Sequence, residues 1–141
     1  YTYLVLADGE ITEGQVWEAA NFAAAHGLGT LIAFVDKNGK MDPFSPYTAD
    51  PENISQRFAA FGWDAQDCDG HNVRAVYDCI QRAKGAPGPS VIVLHTHKGK
   101  SIPEIEEMET NHSIPVGAEL LEKLTQAFER QKEEIDREGG M

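Results

Sequence analysis

Asp8-Gly9 and Asn38-Gly39 place two hard oxygen donors thirty residues apart, each directly after an apolar run. Magnesium takes an octahedron of hard oxygens. Beside a bound diphosphate ester the protein need give only a carboxylate, an amide oxygen and a backbone carbonyl. Asp8 can supply the carboxylate, Asn38 the amide and Lys40 its main-chain oxygen. Gly9 lets the backbone approach an anion and offers it an N–H, and Glu10 completes the Asp-Gly-Glu turn expected to hold that ligand. Asp-Gly and Asn-Gly are also common turn dipeptides that bind nothing, so spacing alone leaves both readings open. A calcium loop starting at Asp36 fails. Lys40 stands at its fifth position, Met41 replaces the required glycine, and no glutamate stands at the twelfth. The sequence has no G-x-G-x-x-G and no phosphate-loop motif, which removes the main evidence for dinucleotide and nucleotide-triphosphate folds.

Three further groups carry possible chemistry. His95 and His97 share one face of a strand, and H-x-H can bind zinc, but no third ligand is evident nearby; a polar strand end beside a bound anion is the simpler reading. Lys98, in T-H-K-G-K, can lend an ammonium to a diphosphate or stand as a solvated loop lysine. Cys68 and Cys79 read as buried thiols rather than a disulfide.

These residues need a scaffold that gathers them. Tyr1 to Ala7 is β-branched, aromatic and apolar on both faces, the mark of a central strand in a covered parallel sheet. Thr12 with Gln15 forms a capping-box signature that predicts a helix to about His26. Leu31 to Asp36 is a second buried strand, followed by an irregular loop from Asn38 to Asp50. Asp50-Pro51 predicts a helix that stops at Gly62, and Trp63 to Cys68 a shorter strand. His71 to Lys84 reads as an amphipathic helix with Val73, Val76, Tyr77 and Ile80 inward, and Ser90 to Thr96 as the fourth strand. A long loop then leads to a charged helix from Ala118 to Arg137. Strand and helix in alternation predict an α/β fold, a parallel sheet with helices on both faces and right-handed crossovers. Such sheets bind ligands beyond the carboxyl ends of their strands, where the loops at Asp8, Asn38 and Lys98 begin.

At 141 residues the chain, residues 1–141, is expected to form a single domain. The formal net charge of -11 sets a repulsive field against polyanions, so nucleic acid is not an expected partner. No apolar run is long enough to span a membrane and no signal peptide opens the chain, so the expected location is cytoplasmic. A core strand that starts at Tyr1 without a methionine points to a processed chain, a fragment or one piece of a split protein.

The stretches "ADGEITEGQVWEAA", "LIAFVDKNG", "RFAAFGWDAQDCDGHN" and "VIVLHTHKGKS" resemble, in order and near-native spacing, the transketolase family of thiamine-diphosphate enzymes, from Tyr1 to about Leu124. The resemblance implies that the chain is the C-terminal half of a diphosphate-binding domain. Asp8, Asn38 and the Lys40 carbonyl would ligate Mg2+, while Gly9, Glu10 and Lys98 would contact thiamine diphosphate. His112 would lie near the diphosphate and the substrate, and Glu13 and Glu18 would form an acidic pair at a subunit interface that links two active sites. Five residues on a helix subtend about 140° net, so that pair cannot face one neighbour together.

The implied activity is transfer of a two-carbon ketol unit between sugar phosphates, with the hard organic chemistry belonging to the cofactor. By the same resemblance, no segment here matches the pyrimidine-binding domain with its catalytic glutamate or the first half of the diphosphate-binding domain. The expected partners are therefore complementary transketolase chains in a hetero-oligomer. Departures from the family pattern are Ala7 for the first glycine of G-D-G, the stretch "KMDPFSPYTAD", and Ser101 where glycine is common. Two alternatives stay open. One is another thiamine-diphosphate enzyme, of the 2-oxo-acid dehydrogenase or deoxyxylulose-phosphate synthase type; the other is a non-catalytic structural or regulatory homologue.

Overall fold

Residues 1–40, 52–108, 111 and 113–138 are described by a computed structural model. Four strands, β1 (Thr2–Ala7), β2 (Leu31–Lys37), β3 (Asp64–Asp69) and β4 (Ser90–His95), form one parallel sheet in the order β1-β2-β4-β3. The helices are α1 (Gly14–Ala25), α2 (Ile54–Ala60), α3 (Val73–Ala83), α4 (Pro103–Glu106) and α5 (Ala118–Glu138). The chain divides into two compact units, Tyr1–Thr96 and His97–Met141; the whole sheet belongs to the first.

Side chains alternate across the sheet and divide its core in two. On one face Leu6, Ala33, Val35, Val91 and Val93 pack with Val16, Ala20 and Ala23 of α1 and with Ile54 and Phe58 of α2. On the other, Ile32, Cys68 and Ile92 pack with Cys79 and Ala83 of α3. Helices therefore cover both faces, as the α/β pattern predicts. The first core is aromatic where α1 meets α2: the Phe58 ring lies 5.0 Å from Trp17 and 5.2 Å from Trp63. Both indoles are satisfied, Trp17 Nε1 donating to the Ile11 carbonyl at 2.8 Å and Trp63 Nε1 to the Ala20 carbonyl at 2.9 Å. Cys68 and Cys79 are free, buried thiols. Among the described residues no helix is long and apolar enough to cross a membrane.

Four local expectations need correction. β1 is an edge strand of this chain, and Val5 is 70% exposed although its sequence suits a covered strand. The capping box does not form: a 3-10 turn over Glu10–Thr12 comes first and Thr12 Oγ1 donates to the Gly9 carbonyl at 2.7 Å, so α1 starts only at Gly14. Helix α3 turns Val76, Cys79, Ile80 and Ala83 toward the sheet, leaving Val73 and Tyr77 outside, where Tyr77 takes the Arg74 guanidinium over its ring. The long loop after β4 contains the short helix α4, with Pro103 at its first position. The Asp50-Pro51 helix start lies outside the described residues; the helix itself is described from Ile54.

Candidate active site at the carboxyl edge of the sheet

Pairing of β1 with β2 sets Ala7 beside Asp36, so Asp8 and Asn38 emerge from adjacent strand ends. Asp8 is 2% exposed and turns its carboxylate across that gap. Its Oδ2 accepts the main-chain N–H groups of Asn38 at 3.1 Å and Gly39 at 2.8 Å; its Oδ1 accepts that of Gly9 at 2.8 Å. Gly39 has φ of +67°, the left-handed turn that brings its N–H round to the carboxylate. Asn38 is fixed from both ends: Nδ2 donates to Asp36 Oδ2 at 2.9 Å, and Oδ1 accepts from the Lys40 N–H at 2.9 Å. Asp36 in turn accepts a short hydrogen bond from Thr96 Oγ1. Only the NH2 of an amide can face a carboxylate, so Asp36 decides which way the Asn38 oxygen points.

A carboxylate oxygen offers about two acceptor sites. Oδ2 of Asp8 has both in use, while Oδ1 and the Asn38 amide oxygen each have one left beyond the contacts above. Among the described residues no group of three or more His, Cys, Asp or Glu could hold a metal. What is gathered is one carboxylate, from Asp8, and one neutral amide oxygen, from Asn38. That set fits a hard cation whose remaining charge is met by a phosphate ester, and it suits a protein-only cage poorly.

Of the other candidates in the first unit, Glu10 Oε2 accepts the Ala7 N–H at 3.3 Å and closes the turn beneath Asp8. The Gly9 backbone is right-handed helical, and its N–H is committed to Asp8. Glu13 is the N-cap of α1 without a side-chain cap bond, and both it and Glu18 are exposed. Ala7 ends β1 in extended backbone and is exposed, so the methyl that departs from G-D-G meets no crowding there. In the second unit Lys98 opens the loop after β4. His112 lies outside the described residues.

Among the described residues the H-x-H pair gathers no third ligand. His95 Nε2 instead meets Asp67 Oδ1 of the neighbouring strand at 2.7 Å, with both side chains about half exposed. Burial pulls the Asp67 carboxyl upward. Hydrogen bonds from Ser55 and His95 and the charges of His95 and Lys37 outweigh it, and hold the carboxyl below its ordinary value of 3.8. Asp36 and Thr96 were not foreseen as site residues. The available signal was a carboxylate two positions before the Asn-Gly turn, close enough to hold the amide.

The chain matches the family model of the transketolase, thiamine diphosphate binding domain over residues 1–136. It is 36% identical over 131 residues to the 6-deoxy-6-sulfo-D-fructose transketolase subunit of Clostridium sp. (strain MSTE9), covering 92% of this chain and 48% of that protein. To human transketolase it is 36% identical over 126 residues, covering 88% of this chain and 20% of the relative. The crystal structure of transketolase from Campylobacter jejuni superposes with a TM-score of 0.78 at 29% identity, covering 89% of this chain and 20% of that one. The chain thus spans about half of the first relative and about a fifth of the others. With the parallel sheet, the braced Asp8 turn and the four sequence stretches all in place, the chain belongs to the transketolase thiamine-diphosphate-binding domain family.

Proposed function

We propose that this chain is the second half of a diphosphate-binding domain and anchors Mg2+ and the diphosphate of thiamine diphosphate in a transketolase-type enzyme that moves a two-carbon ketol unit between sugar phosphates. The observation that carries this reading is the buried Asp8 carboxylate held against the Asn38-Gly39 turn by the main-chain N–H groups of those two residues. Asp8, Asn38 and the Lys40 carbonyl hold the cation; Gly9, Glu10 and Lys98 serve the diphosphate. His112 acts on the substrate side, and Glu13 and Glu18 lie where a second subunit meets α1. The cofactor, when bound, supplies the carbon–carbon bond chemistry. The residues of this chain hold it in place.

Complementary chains complete the enzyme. They supply the rest of the diphosphate domain and the pyrimidine domain with its catalytic glutamate, so the working particle is a hetero-oligomer. The exposed apolar side chains of β1, Tyr3 at 48%, Leu4 at 42% and Val5 at 70%, support this: an edge strand apolar on both faces suits a further neighbour. The test is isothermal titration of the assembled complex with thiamine diphosphate in Mg2+ buffer. Binding heat that disappears in Asp8→Ala is expected; an assembled complex that takes up no cofactor overturns the proposal.

A further inference from the structure

The loop that carries Lys98 is pinned at several points within the second compact unit. Its turns close through Lys100 N–H to the His97 carbonyl at 3.1 Å and Ile102 N–H to the Gly99 carbonyl at 3.0 Å. Gly99 has φ of +81°, and a Cβ there would stand 2.5 Å from Ile105 Cγ2, so the loop lies hard against α4. Gln131 Nε2 of α5 donates to the Ser101 carbonyl at 2.6 Å. Lys100 Nζ approaches Glu106 Oε1 at 3.8 Å.

The remaining pin comes from a residue that no motif singles out. Asn111 is 4% exposed, and its Nδ2 donates to the Lys98 carbonyl at 3.3 Å and to the Ile105 carbonyl at 3.0 Å. Both amide protons are thus spent on joining the main chain of Lys98 to the end of α4. The amide oxygen is buried and, among the described residues, meets no donor.

We infer that Asn111 is a positioning residue: it clamps the Lys98 main chain to α4 and so sets where the Lys98 ammonium can reach. This rests on the reading that Lys98 serves the diphosphate. A lysine left to search its rotamers on a loose loop loses most of the benefit of its charge, because each binding event must then order the loop as well.

The test uses the assembled complex and two readouts. Asn111→Asp keeps the side-chain size but turns carboxylate oxygen toward two carbonyls, and Asn111→Ser retains one donor. Hydrogen exchange of the Lys100 and Ile102 amides should speed up at least tenfold in Asn111→Asp, and less in Asn111→Ser. Thiamine diphosphate titrations should show Lys98→Ala raising Kd about tenfold and Asn111→Asp raising it by a similar factor. Asn111→Asp in the Lys98→Ala background should change Kd less than about twofold, the non-additivity of two residues acting as one. A role confined to folding would weaken binding equally in both backgrounds, and that result overturns the inference. Unchanged exchange in both Asn111 variants removes the clamp itself. An unchanged Kd in Lys98→Ala instead removes the assignment of Lys98 to the diphosphate, and with it this use of the clamp, while the exchange data still report whether the clamp exists.

Discussion

Asp8 should stabilise the fold before any ligand binds. Its carboxylate, 2% exposed, receives three main-chain N–H groups: those of Asn38 and Gly39 tie the end of β1 to the turn after β2, and that of Gly9 closes the local turn. Asp8→Ala leaves all three without this acceptor. Gly39 is exposed and Asn38 half-buried, so water can reach part of the gap, which argues for the low end of the range for a lost hydrogen bond. At about 1 kcal/mol each, the three bonds come to roughly 3 kcal/mol. Asp8→Asn keeps one oxygen that can accept, but its NH2 then faces an N–H, for a cost of about 1–2 kcal/mol. Trp17 and Trp63 are the only tryptophans and both pack on this core, so urea unfolding followed by their fluorescence reads the effect directly. The measurement is made without Mg2+ or thiamine diphosphate. If Asp8→Ala stays within about 0.5 kcal/mol of the parent there, the carboxylate is no brace for the turn.

Gly39 and Cys68 carry two further predictions. Gly39→Ala should cost about 1 kcal/mol in the same assay, because φ of +67° disfavours a Cβ even though the space around it is open, and Gly39→Asn should recover part of that loss. Burial, helped by the Cys79 side chain beside it, pushes the Cys68 thiol from 9.0 up to about 11. The folded state therefore holds a proton that the unfolded chain gives up. This stability is complete below pH 9 and is lost as pH rises from about 9 to 11. Cys68→Ala should flatten that alkaline limb in urea midpoints taken against pH, and a parent curve already flat over this window contradicts the cause assigned here.

The order of the four strands and of the helices between them was legible from their periods and turn residues, whereas the four-residue α4 is too short to show a period. Asp8 and Asn38 were legible as a pair for the same reason: both follow buried strands, and strands joined by one helix are usually neighbours. The errors have separate physical causes. Thr12 carries a capping signature, but the 3-10 turn at Glu10 uses its hydroxyl first. Val73 and Tyr77 match a helical stripe by composition alone, whereas the contacts of α3 follow small residues, Cys79 and Ala83, that let it approach the sheet closely. Asn111 was invisible because its partners are carbonyl oxygens, and side-chain spacing carries no information about where a main chain will run.

The arrangement at Asp8 also bears on the departure at Ala7. In a G-D-G motif the first glycine could serve either backbone freedom or close approach of the cofactor. Here Ala7 lies in regular β1 pairing opposite Asp36, outside the residues with positive φ, and its N–H reaches Glu10 Oε2. Backbone freedom is therefore not what the position requires in this chain. The exposed methyl can act only on what approaches the strand end from outside. Asp8, Asn38 and Gly39 are braced through contacts that do not involve that methyl, so the brace does not depend on it. On the proposed reading, substitution at Ala7 should alter how a diphosphate ester seats while leaving the urea midpoint set by the Asp8 brace unchanged.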